Sequence, residues 1–160
     1  MITIEVNNRD VLDTLNRLIQ GVSHMEPVMA DLANALASES ERQFASESGP
    51  LGPWPGLSET TKAMRTRRGT WPGKKLQISS GGLAASVQTS HGPNWAMIHT
   101  NKPYAAMHQF GGTTSPRSMI PGKTIPARPF LPFNPQTSEI TPEAQATITD
   151  VLNHWLGQIT

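Results

Sequence analysis

Lys62, Arg65, Arg67, Arg68, Lys74 and Lys75 crowd one short stretch of the chain, with Trp54 and Trp71 beside them. Cations interleaved with aromatic rings suit two kinds of chemistry: following a phosphate backbone while stacking on bases, or packing against an acidic protein surface. The same residues also fit a solvated loop that balances acidic helices of its own or a neighbouring subunit. Spacing alone leaves the three uses open.

Other reactive side chains form no comparable pattern. His24, His91, His99, His108 and His154 are scattered, and none pairs with a nearby carboxylate at metal-ligand spacing. With no cysteine there is no thiolate nucleophile, no disulfide framework and no cysteine-based zinc site. A hydrolytic triad needs a nucleophile, a base and an orienting acid. The centre of the chain has serines and histidines, yet no acid occurs between Glu59 and Glu139. Ser80, Gly81 and Gly82 lack the glycine spacing and the following Lys and Ser or Thr of a phosphate loop, so a turn explains them better. No enzyme activity and no cofactor are expected.

Net charge is +1, but its distribution is one-sided. Residues 1–59 carry nine acids and three bases, residues 60–138 ten bases and no acid, and residues 139–160 three acids. Such a block sets a local field for partners, not for the fold. At 160 residues the chain is sized for a single domain, 1–160. Its start lacks a secretion signal, and no stretch reaches the roughly 20 apolar residues of a membrane span.

Short elements must position these residues. Ile2, Ile4 and Val6 alternate as in a half-buried strand. Asn8 caps a helix carrying Val11, Leu12, Leu15, Leu18 and Ile19 on one face, with Gly21 closing it. Pro27 opens a second helix with Val28, Leu32, Leu36 and Phe44 inward and Glu39, Glu41 and Glu47 outward. From 49 to 82 the composition turns to Gly, Pro, Trp, Ser and bases, which predicts a long, mobile projecting loop; within it Ser58 caps a short helix from Thr60 to Arg65. Ser86–Ser90 and Trp95–Thr100 predict a hairpin, and Pro103 to Phe110 a short helix. Residues 111–135 hold six prolines and predict an extended arm. Thr141 and Pro142 open a last helix, with Ile148, Val151, Leu152, Trp155 and Leu156 on one face and Gly157 at its end. The fold class is α+β, a small antiparallel sheet on two or three helices with long projecting loops.

The run Tyr104, Ala105, Ala106, Met107, His108, Gln109, Phe110, Gly111, followed after an insert by Ile125, Pro126, Ala127, Arg128, Pro129, Phe130, Leu131, resembles the phage virion morphogenesis family, the tail completion proteins of Mu-like and related contractile-tailed phages. Trp54, Leu57, Thr61, Arg65, Leu76, Ser80, Gly82, Leu83 and Ser86 agree in order. Where the family pattern often has Gly soon after Pro-Phe-Leu, this sequence has Pro132, which stiffens the arm. The resemblance implies a subunit that caps a finished tail tube and offers a surface to the head. It would act as a ring, expected to be sixfold, at the tail–head junction of a virion assembled in the host cytoplasm. Tail tube and neck proteins would be its partners, with genomic DNA nearby. A head-side neck connector and a free basic nucleic-acid-binding module are the alternatives. A head-to-tail ring needs two different surfaces per subunit, and acidic ends with a basic, proline-rich middle supply them. Tyr104, His108, Phe110, Arg128 and Phe130 are expected to anchor the arm, against the hairpin or against a neighbouring subunit, with a purely internal core role for them equally open.

Overall fold

Six prolines interrupt the 111–135 segment expected as an extended arm, so only Gly112–Thr113 and Thr124–Ile125 pair within it as a short ladder, and the stretch from Pro126 to Leu131 has to satisfy its backbone in another way. The computed structural model describes residues 9–76, 80–118 and 120–159. Its elements are α1 (Arg9–Ser23), α2 (Glu26–Ser46), β1 (Ser48–Gly49), β2 (Gly52–Pro53), α3 (Glu59–Arg67), β3 (Val87–Gly92), β4 (Trp95–Thr100), α4 (Ala105–Phe110), β5 (Gly112–Thr113), β6 (Thr124–Ile125) and α5 (Pro142–Ile159). The strands form three antiparallel two-stranded sheets, β1 with β2, β3 with β4 and β5 with β6. The class is α+β, as the sequence predicts. The strand expected over Ile2–Val6 lies outside the described residues.

Helix α2 is the spine, packed against the β3–β4 hairpin on one side and against α5 on another. The hairpin turns through Pro93 and Asn94, with Gly92 opposite Trp95 and Val87 opposite Thr100. The core gathers Phe44 of α2, Trp54, Leu76, Leu83, Ala105 of α4 and Phe130 of the arm. Phe44 meets Trp54 edge-on at 5.6 Å and Phe130 at 5.3 Å, separations at which aromatic pairs add to area burial.

Three sequence expectations need correcting. Glu39, expected outward, is only 4% exposed; its carboxylate accepts from Arg42 beside it and from Thr147 Oγ1 of α5 at 2.6 Å. Glu39 shares the inward face with Ser40, and paired polar groups can be buried where unpaired ones cannot. Glu47, also expected outward, is half-buried at the left-handed cap of α2. Gly21 and Gly157 end no helix: α1 continues to Ser23 and α5 to Ile159, since a single glycine costs a helix only about 1 kcal/mol. The apolar face of α1 is on the surface, with Leu12, Leu15, Ile19 and Val22 all at least half open or close to it.

Segment 49–82 begins inside the body and ends there. Trp54 and Leu76 are core residues, and the capped helix α3 stands between them. Ser58 Oγ accepts from the Thr61 amide at 3.3 Å, which satisfies one of the free N–H groups of the first turn. The helix runs a little beyond the predicted Thr60–Arg65.

Candidate functional site: the arm junction and the basic groove

The two motifs from opposite sides of the proline-rich insert come together as one unit. Gln109, at the end of α4 and buried, accepts at Oε1 from the amides of both Phe130 and Leu131 at 3.0 Å. Ser40 Oγ of α2 donates to the Phe130 carbonyl, and Trp54 Nε1 donates to the Pro129 carbonyl at 2.8 Å. The Arg128 amide donates to the His108 carbonyl at 2.6 Å. Side chains thus replace the ladder that the prolines forbid. Leaving such buried groups unpaired would cost about 1–3 kcal/mol each.

Two glycines let the arm in so closely. At Gly111, whose φ is +72°, an added Cβ would lie 2.8 Å from the Ala127 nitrogen. At Gly49 it would lie 2.4 Å from the Pro129 carbonyl oxygen.

Arg128 is the charged residue of this junction. It is buried, and its Nε donates to the Pro55 carbonyl at 2.9 Å while one terminal nitrogen donates to Gly56 at 2.6 Å. Burial depresses its proton affinity first, then the Arg65 charge, while Glu47 opposes the fall. His108 lies alongside, half-buried, with Nδ1 shielded from solvent and lacking a hydrogen-bond partner. Burial first, then Arg128 and Arg65, push its pKa below 6.5 and keep the ring neutral. Tyr104 stacks edge-on to His108 at 6.0 Å with its own ring largely open. Phe130 is fully buried, whereas Phe110 is 55% exposed and rests near Phe133 at 6.1 Å.

The six clustered bases divide into two groups. Arg65 donates to the carbonyls of Lys74 at 3.0 Å and Lys75 at 2.8 Å, tying α3 to the strand of chain that returns to the core. Lys74 Nζ reaches the Ala45 carbonyl at the end of α2. Lys75 engages Glu47 twice, through its amide and, at 3.5 Å, through its ammonium. Burial raises the Glu47 pKa, but the Lys75 amide and charge, with Lys74 behind them, outweigh this and hold its carboxyl below the ordinary value. Lys62 pairs with Glu59 at 2.7 Å and lies 5.9 Å above the Trp71 ring. Arg67 and Arg68 are exposed, and among the described residues their side chains bond to nothing.

Between α3, α4 and β6 lies a groove of about 710 Å³, walled by apolar side chains that include Leu57, Met64, Leu83 and Ile125. Arg65, Lys75, Lys123 and Arg128 line it and no carboxylate does. A second depression of about 690 Å³, lined by Glu39 with its partner Arg42 and by Glu139 and Glu143 among others, shares no residue with the first. Among the described residues no cluster of three or more His, Asp or Glu is placed to hold a metal, and no helix is long and apolar enough to cross a membrane.

Sequence reasoning named Arg128 and Phe130 but missed Gln109, Ser40 and Glu39 as anchors. For Gln109 and Ser40 a signal was available, since each is a polar residue on the inward face of a helical apolar pattern, where only a bonded group is stable, while the charge of Glu39 masks the same position.

Residues 6–157 match the model of the phage virion morphogenesis family. The chain is 35% identical over 137 residues to Mu-like prophage FluMu G protein 2 of Haemophilus influenzae, covering 85% of this chain and 87% of that protein. It is 34% identical over 131 residues to Mu-like prophage FluMu G protein 1 of the same organism, covering 81% and 77%. It is 37% identical over 102 residues to the protein of Escherichia phage Mu described as "Putative capsid assembly protein G", covering 62% and 64%. No solved structure matches.

Proposed function

The chain belongs to the phage virion morphogenesis family, and from that premise we propose that it is the structural subunit that completes the tail, a ring component that caps the tail tube and joins it to the head. The coarser statement, a role in virion assembly, comes with the family. The observation that carries the finer one is the separation of surfaces. The basic groove and the depression, where Glu139 and Glu143 add to the Glu39–Arg42 pair, have no residue in common, and a head-to-tail ring needs two distinct, complementary faces on each subunit. Exposed apolar side chains on α1 and at Tyr104, Phe110 and Ile140 add to this, because large apolar groups left open mark contact surfaces when they gather in patches. Lys62, Arg67 and Arg68 would face the neck or the DNA path. Arg65, Lys74 and Lys75 would act one step back, by holding α3 in place. The role is structural and not catalytic, with partners in the tail tube and neck. Six copies match the sixfold expectation for a tail tube.

One observation favours a second reading. The phage Mu relative carries a capsid assembly description, which suits a connector on the head side of the neck. A gold-labelled antibody against this chain, applied to intact particles, tests both. Label at the head-proximal end of the tail in tails released from heads supports tail completion. Label that stays with tail-free heads supports the connector. Absence from particles overturns both and moves the nucleic-acid-binding module to the front, for which binding to arbitrary duplex DNA should fall steeply with salt.

A further inference from the structure

The basic groove has an unusual charge balance. Its two guanidiniums, Arg65 and Arg128, bond only to backbone carbonyls, which satisfy donors without cancelling charge. Lys75 is paired with Glu47, but the Lys123 ammonium has no partner among the described residues. His108 adds a shielded, unpartnered Nδ1 and stays neutral beside the two arginines. Around these groups the wall is mainly apolar. A groove of this kind fits an aliphatic side chain with a carboxylate next to it. A DNA backbone offers phosphate without the apolar part.

The same chain presents that combination elsewhere. Glu139 and Ile140 stand at the bend before α5, where Ser138 turns the backbone with φ +62° and Phe133 bridges Ile140. Ile140 is 43% exposed, and the exposed Glu139 carboxylate has no partner among the described residues. Glu139 and Ile140 line the second depression, which has no residue in common with the groove, so donor and acceptor are separate sites on one subunit.

We propose that the groove between α3, α4 and β6 receives the exposed Glu139–Ile140 bend of a second copy of this chain, with Ile140 against the apolar wall and the Glu139 carboxylate toward Lys123 and the arginines. The contact is heterologous, so it propagates head to tail and can close a ring. This rests on the ring-subunit reading above and names the surface that would make the ring.

The chain has no cysteine, which makes disulfide trapping clean. Thr124→Cys stands exposed at the rim of the groove and Ile140→Cys on the bend before α5. The two single variants are mixed in equal amounts and mildly oxidised, and the control pair is Ile140→Cys with Gln158→Cys, exposed on α5. A disulfide forms only where Cα atoms come within about 7 Å. The expected result is a Thr124→Cys/Ile140→Cys heterodimer at least tenfold faster than the control. Lys123→Glu should slow trapping, and Glu139→Lys in the partner copy should restore it. Trapping no faster than the control overturns the proposal. If light scattering still shows an oligomer in that case, the ring reading stands and only the surface is wrong. If the protein is a monomer and the antibody finds nothing in particles, both fall. Protection of the groove cysteine by duplex DNA, without a second copy, also overturns the proposal.

Discussion

Two stretches of this chain look alike in composition and do opposite work. The arm around Pro126 to Phe133 and the basic segment from Lys62 to Lys75 both combine cations with proline or glycine, although the basic segment begins inside α3. In the arm, the cation Arg128 is buried, the aromatic Phe130 has no exposed surface, and amides and carbonyls are bonded by Gln109, Ser40 and Trp54. In the basic segment the anchoring is done by Arg65, Lys74 and Lys75, while Arg67 and Arg68 stay open to solvent. The comparison teaches that proline-rich chain becomes core when the neighbouring helices supply side-chain hydrogen bonds in place of a ladder.

Phe130→Ala gives the sharpest test of the arm as core. Truncating a fully buried phenylalanine costs about 3–5 kcal/mol, so thermal unfolding should shift down by many degrees. A variant that melts normally yet fails to assemble would make Phe130 an interface residue after all. Gln109→Leu comes next. It keeps volume but strips two buried amides of their acceptor, a loss of about 2–4 kcal/mol by denaturant unfolding. A change under about 0.5 kcal/mol would show that the arm does not need its substitute ladder. Gly111→Ala should cost about 1–3 kcal/mol, because φ +72° and the 2.8 Å approach to Ala127 act together.

How much of this was legible in the sequence follows from the same contrast. Helices and hairpin were legible because their apolar spacing is local: the second helix, the Trp95–Thr100 strand and the Thr141–Pro142 start all appear where periodicity and caps put them. The resemblance motifs were visible as words, but their contact was not, since Gln109 and Phe130 lie 21 residues apart and meet only when the arm folds back. Glu39 was misplaced because a charged residue at an inward helical position reads as outward until its partner on α5, Thr147, is known. Among the six clustered bases, spacing and composition do not separate Arg65, whose guanidinium ties down a backbone, from Arg67 and Arg68, whose do not; only the family resemblance, which includes Arg65, sets it apart.

His108 probes the border between the two regions by pH. Its pKa is lowered in the folded state, first by burial and then by Arg128 and Arg65, so below pH 6.5 the unfolded chain binds protons that the folded chain refuses. Its contribution to stability is therefore intact above about 6.5 and declines as pH falls through that value. His108→Gln should flatten this part of the stability profile, read by urea unfolding at several pH values. An unchanged slope would mean that neither burial nor the two arginines shift its titration.

The smallest effect on stability should come from the exposed bases, and it separates the regions most cleanly. Reversing Arg67 and Arg68 to Glu removes no hydrogen bond among the described residues and should move stability by less than about 0.5 kcal/mol. Arg65→Glu in the same assay should cost more, because it releases the Lys74 and Lys75 carbonyls and sets an acid near Glu47. A triple reversal would therefore confuse folding with assembly. The double variant does not: if it folds as the parent does and still completes tails that lack the native protein, Arg67 and Arg68 face no partner, and only the bases tied to the backbone and to Glu47 have a structural task.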